Sequence, residues 1–217
     1  MKKTLLLLAL CAGSLLSANA DDHLTALLKP GDAVLGIQLK NADAYTAFQM
    51  DIALPEGMTL VEADDAVTLQ RQDTEAPQVV ESNVVDGKLR VVAYSYKEEG
   101  TTKAGNKSFS DTKGDVLLLK VNVAEGCTAA NVAISNIEFV KTDGLTATAL
   151  GVTATGKLGD TNGDNKVDGN DVTLVIDHYL SDAGTLTPEQ IERSSVSGKD
   201  TLDGNDAIQI TDIFLNY

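Results

Sequence analysis

The tetrapeptide Asp-Gly-Asn-Asp occurs twice near the C-terminus, at 168–171 and again 35 residues later at 203–206. Each copy closes a twelve-residue stretch, Asp160 to Asp171 and Ser195 to Asp206. A helix is expected after each, with Val172 to Leu180 amphipathic after the first. A loop–helix unit present in two copies dictates the architecture of this end of the chain: two helices, each entered through a loop of the same length. The fronts of the loops disagree. The first reads Asp-Thr-Asn-Gly-Asp-Asn-Lys-Val and the second Ser-Val-Ser-Gly-Lys-Asp-Thr-Leu.

Oxygen-bearing side chains in the first loop fall at positions one (Asp160), three (Asn162), five (Asp164), nine (Asp168) and twelve (Asp171). Position seven, Lys166, offers its backbone carbonyl. This is the spacing of an EF-hand-like loop, in which hard oxygen ligands wrap a Ca2+ ion. Val167 at position eight is apolar, as a residue pinning the loop to a core must be. Position six is Asn165 where glycine is usual, and Asn enters the left-handed region more easily than most residues. Position twelve is Asp rather than Glu. The second loop places Ser195, Ser197 and Lys199 at positions one, three and five, and keeps Asp203, Asp206 and the apolar Leu202. An ammonium facing inward repels a divalent cation. One ion is therefore expected, in the first loop, with Lys199 acting as the resident cation of the second.

Between the repeats, Thr187-Pro188-Glu189-Gln190 carries the signals of a helix start: a capping Thr, Pro at the first helical position and Gln at the third. Residues 159–217 thus resemble a type I dockerin, a family with two calcium loop–helix units and a short connecting helix. The resemblance implies a cohesin-type domain as protein partner. It also implies that Gly169, Asn170, Gly204 and Asn205, at loop positions ten and eleven, belong to the contact face; the same pairs equally suit the turn before a helix. The helix positions are less alike: Thr173, Ile176, Asp177 and Leu180 correspond to Ile208, Thr211, Asp212 and Leu215. His178 reads as a surface or interface residue.

Upstream of Gly156-Lys157-Leu158-Gly159 the period changes to two. Phe48 to Leu54 alternates apolar and polar residues before Pro55-Glu56-Gly57, and Asp86-Gly87 between apolar flanks signals a type I′ hairpin. Further strands are expected at Val34 to Leu39, Val116 to Val123, Val132 to Phe139 and Ala147 to Thr155. About nine short strands point to an all-β sandwich or jelly roll. Residues 46–57, 89–96 and 114–121 resemble the cohesin family and its carbohydrate-binding relatives, which implies binding rather than catalysis. A sugar-binding face would need exposed rings. The chain has no Trp, leaving Tyr45, Tyr94 and Tyr96 as candidates, the last two sharing parity with Arg90 and Val92.

Residues 1–20 have the layout of a secretory signal peptide: Lys2-Lys3, an apolar run from Leu5, and Ala18-Asn19-Ala20 before Asp21. Cys11 would be a lipidation site, but Leu10 precedes it where a small residue is preferred. Cleavage takes the net charge from −15 to −17. Such acidity disfavours nucleic acid and anionic membrane as partners, and no membrane insertion is expected after cleavage. Cys127 is then the sole thiol.

The organisation expected is therefore a leader (1–20), a cohesin-like sandwich (21–157) and a dockerin (158–217). The function expected is an exported assembly protein, secreted, cell-surface or periplasmic, working in extracellular polysaccharide degradation. The alternative is a carbohydrate-binding accessory protein tethered by its dockerin. No nucleophile–base constellation is recognisable, so no enzyme is expected. The connection at 156–159 spans roughly 13–14 Å when extended, too little to swing the dockerin onto a broad face of the sandwich.

Overall fold

The computed structural model describes residues 16–17, 22–73, 78–95, 107–144, 146–148, 150–181, 184–199 and 201–217. The strands are β1 (Leu16–Ser17), β2 (His23–Leu28), β3 (Val34–Lys40), β4 (Tyr45–Ala53), β5 (Met58–Leu60), β6 (Val67–Leu69), β7 (Val79–Val85), β8 (Lys88–Tyr94), β9 (Lys113–Val123), β10 (Ala133–Lys141), β11 (Thr146–Thr148) and β12 (Gly151–Lys157). Three helices come after them: α1 (Gly169–Leu180), α2 (Pro188–Ser194) and α3 (Gly204–Asn216). One sheet runs β1-β11-β10-β4-β8-β7; the other runs β12-β2-β3-β9-β5, with β6 also paired to β9.

Alternation explains the packing. In β4, Phe48, Met50 and Ile52 are 2%, 0% and 0% exposed, and they meet Leu35, Ile37, Leu117 and Leu119 of the other sheet in one cluster. The hairpin is as expected: Asp86 and Gly87 both have positive φ, 51° and 75°, between β7 and β8. The structure has more strands than the nine expected. Those not expected from the sequence are β1, β5, β6 and β11, of two or three residues each and too short to show a period, and β2, whose run from Leu24 to Leu28 is buried throughout and so does not alternate. The run expected as one strand from Ala147 to Thr155 is split. β11 belongs to the first sheet and β12 to the second, with Leu150 buried between them. Alternation says which side chains are buried, not which sheet holds the backbone.

Residues 1–15 and 18–21, with Cys11 and the cleavage point, lie outside the described residues. Leu16–Ser17, which the leader reading puts outside the fold, pair in parallel with Ala147 and Thr148 of β11. A two-residue ladder is the least pairing a strand makes, and it covers an otherwise open sheet edge.

A second hydrophobic cluster gathers Val175, Leu202, Ala207 and Ile210, with Val167, Val172 and Ile191 packed against it. Val167 and Leu202, the two position-eight residues, thus pin both loops to the small helical core. α2 lies against β12, and the backbone passes straight across, with Leu158 N–H donating to the Leu28 carbonyl and Gly159 N–H to that of Arg193.

Candidate functional site

The repeated tetrapeptide is a helix cap. Asp168 and Asp203 are the N-caps of α1 and α3, accepting from the backbone N–H of Asn170 and Asn205 at 2.7 Å each. The third helical residues, Asp171 and Asp206, complete capping boxes by accepting from the N–H of Asp168 and Asp203. Each reaches further back with its other oxygen, Asp171 to the N–H of Asn162 and Asp206 to that of Ser197. Positions nine and twelve therefore close the loop onto its helix in both copies. Both copies make these bonds although their front halves differ. α2 begins as expected, with Thr187 and Gln190 capping each other.

The first loop turns around Asp160. Its carboxylate accepts from the N–H groups of Gly163, Asp164 and Asn165 at 2.7, 3.1 and 2.8 Å. The bends that permit this are at Gly163 (φ 80°) and Asn165 (φ 69°), the latter bearing out asparagine as the left-handed residue. Asn162 and Asp164 hydrogen-bond each other, side chain to side chain, and the Lys166 N–H donates to Asp164. Asp160 and Asp171 are 2% and 0% exposed, and burial pushes both carboxyls up, reinforced by the charge of Asp164 on the first and of Asp160 and Asp168 on the second. The cation acting on Asp160 is Arg193, itself paired with Glu189.

These residues fit a hard cation by donor chemistry. A carboxylate has about four acceptor sites; Asp160 uses three on backbone N–H groups and Asp171 two. Both retain capacity, and both are buried among negative charge. The side chains are not drawn together, however: among the described residues no three His, Cys, Asp or Glu are grouped as a metal cluster.

The second loop departs from expectation. Lys199 does pair with Asp203, at 2.5 Å, and the Asp203 hydrogen bond raises the pKa of the ammonium, but the Lys199 side chain is 52% exposed. It lies on the surface rather than inside the loop, although the charge of Asp206 acts on it as well. The ammonium that reaches the front of the loop is Lys113, from β9, donating to Ser195 Oγ and to the Lys199 carbonyl at 3.3 and 2.8 Å. Ser195 Oγ donates in turn to that carbonyl. Ser197 Oγ is buried and has no hydrogen-bond partner among the described residues.

Lys113 belongs to a junction the sequence does not announce. His23 of β2 meets Glu192 of α2 at 3.2 Å. Burial works to raise the Glu192 carboxyl, but His23, Lys113 and Lys40 bring it below its usual range. On the other side, Asn165 of the first loop donates its amide to the Cys127 carbonyl at 3.1 Å. Arg193, 8% exposed, donates to the Thr161 carbonyl. The two parts of the chain therefore do touch, through α2 and both loops, and the ring of Tyr217, just after α3, lies beside Gly31 in the turn between β2 and β3. His178, read as a surface or interface residue, is half-buried: its Nδ1 accepts from the N–H of Thr185 and Leu186, tying down the turn after α1.

Of the eight large apolar side chains that stand exposed among the described residues, seven are Ile176, Tyr179 and Leu180 of α1, Ile208, Phe214 and Leu215 of α3, and the adjoining Tyr217. Four of them (Ile176, Tyr179, Leu180 and Ile208) help line an open groove of about 320 Å3 between the two helices. Gly169, Asn170, Gly204 and Asn205 are exposed at the helix starts, with Gly204 on the groove.

The candidate sugar-stacking rings fare differently. Tyr45 is 1% exposed, its ring 4.9 Å from that of Phe139 and its hydroxyl donating to Asp22. Burial, then Asp22, raise its pKa far above the usual tyrosine value. It is a core residue although its parity differs from that of Phe48, because the register between β4 and β10 shifts between Val140 and Lys141. Tyr96 lies outside the described residues. Tyr94 alone remains, half-buried, with its hydroxyl donating to Glu81.

No family model and no curated protein matches this chain. Solved structures with some likeness include a non-cellulosomal cohesin from the archaeon Archaeoglobus fulgidus, at 14% identity over 61% of this chain and 87% of the other, TM-score 0.43. Others are the sixth cohesin of Acetivibrio cellulolyticus scaffoldin B, solved with a Cel5 dockerin mutant (14%, 60% and 94%, TM-score 0.43), and CaCohA2 from Clostridium acetobutylicum (14%, 64% and 89%, TM-score 0.41).

Proposed function

We propose that this chain is an exported, non-catalytic assembly protein. Its C-terminal repeats form a dockerin-like module that grips a cohesin-type domain of another protein through α1 and α3, in extracellular polysaccharide degradation. The observation that carries this is the clustering of seven of eight exposed large apolar side chains on and beside those two helices. An apolar face of that kind marks an interaction site. α2 and the loops face the sandwich, so the groove is left to an outside partner.

Asp160, Asn162, Asp164, the Lys166 carbonyl, Asp168 and Asp171 are the residues that would hold the calcium ion. When bound, the ion supplies positive charge to acids that burial and mutual repulsion otherwise disfavour as anions. The loops position α1 and α3, so the apolar face depends on them. A leader at 1–20 fits the same role, since a partner of this kind works outside the cell.

Among the described residues of the sandwich, the glycan-binding alternative draws support from no candidate ring but Tyr94. A panel of purified cohesin-type domains, tested with calcium and with chelator, checks the proposal. Binding to at least one, lost with chelator and with the double variant Leu180→Asp, Ile208→Asp of unchanged circular dichroism, is the expected result. Full binding by that variant would overturn the assignment of the face.

A further inference from the structure

The eighth exposed apolar side chain is Val84, 64% exposed, on β7. This strand reads Val-Val-Glu-Ser-Asn-Val-Val and ends the first sheet, pairing with β8 along its whole length. Among the described residues its backbone hydrogen-bonds to no other element. Val80, Ser82 and Val84 lie opposite Ala93, Val91 and Leu89, all buried, so they share the core side of the sheet. Val84 is thus a core-side residue with nothing over it. Glu81, Ser82 and Asn83 beside it are exposed.

An unpaired strand edge is a template for another strand, and the sequence of this one is close to a palindrome. We infer that β7 pairs with β7 of a second copy, antiparallel, about a two-fold axis through Ser82. In that register Val79 meets Val85 of the other copy, Val80 meets Val84, Glu81 meets Asn83, and Ser82 meets itself. The axis stands perpendicular to the sheet, so each core-side Val84 is covered by a core-side Val80 and the interface is isologous. Neighbouring registers are worse. An axis through Glu81 sets two carboxylates opposite each other, and one through Asn83 trades the valine pairs for Val85–Glu81 and Val84–Ser82. A single strand edge is a small contact, and the chain carries a net charge of −15. The dimer is therefore weak and strengthens as salt screens the repulsion.

This edge belongs to the sandwich alone and is independent of the calcium-dependent face. The test is light scattering on the full chain across a concentration series, at low and physiological salt, with calcium and with chelator. A mass rising toward a dimer, more at higher salt, unchanged by chelator and abolished by Val84→Lys, is expected. Register is read by cysteine cross-linking with peptide mapping. Opposed Cα atoms in an antiparallel pair stand about 4.5–5.5 Å apart, within disulfide range. Ser82→Cys should therefore form an 82–82 disulfide. Two copies of Val84→Cys lie four residues out of register, about 13–14 Å apart, and should not. Equal cross-linking of the two variants, or growth in mass only with calcium, overturns the inference.

Discussion

Calcium removal is the perturbation that tests most of these assignments at once. With free ion at about a hundred times Kd, binding to the folded state alone stabilises it by about 2.7 kcal/mol. How far that moves the melting temperature depends on how much of the chain unfolds together. A helical unit of some 60 residues melting alone shifts by about 4–8 °C per kcal/mol, hence about 11–22 °C; a unit of 150–250 residues shifts by about 2–4 °C per kcal/mol, hence about 5–11 °C. The junction favours the second case. Asn165 to the Cys127 carbonyl, Lys113 to Ser195 and the Lys199 carbonyl, His23 to Glu192, and Leu158 to the Leu28 carbonyl all link the sandwich to the helical part. Differential scanning calorimetry with calcium and after chelation should show one transition that drops by about 5–11 °C. A chelator-insensitive transition refutes calcium binding in the first loop. Two transitions, with only the smaller one moving, refute the coupling through the junction. Titration calorimetry should give one ion per chain; two tight sites would refute the loss of binding in the second loop.

Other outcomes depend on single contacts. Restoring the second loop by Ser195→Asp, Ser197→Asn and Lys199→Asp should yield a second ion in titration calorimetry only when Lys113 is also replaced, since its ammonium already reaches Ser195 and the Lys199 carbonyl. Lys199→Met should leave the melting temperature unmoved, its partner Asp203 being reached across the surface. Asp51, 4% exposed, takes a bidentate pair from Arg90, whose hydrogen bonds hold its carboxyl at about 2 against burial. Arg90 is 44% exposed on its side of the pair and screened there. Asp51→Asn should therefore cost about 1–2 kcal/mol in urea unfolding at neutral pH. That contribution is complete above about pH 4 and disappears as pH falls toward 2, so the gap between variant and parent should close in acid. A glycan microarray with the full chain should be blank.

What the sequence determines by itself is what depends on residues within a few positions of one another. Asp168 with Asp171, Asp203 with Asp206, and Thr187 with Gln190 cap helices because each pair spans a single turn, and Asp86-Gly87 makes its hairpin for the same reason. Alternation in β4 and β8 names the core face, because a sheet with one buried side imposes it. The tertiary structure alone decided the rest. Ala147 to Thr155 crosses from one sheet to the other, since period two is blind to which neighbour the backbone pairs with. Tyr45 went to the core because Phe139 and Asp22, 94 and 23 positions away, supply its ring contact and its acceptor. Lys113 meets Ser195 across 82 positions. A spacing pattern can show that the second loop lost its ligands, but which cation came to lie at its front depended on where a sandwich strand ends, and only the packing of α2 on β12 fixes that.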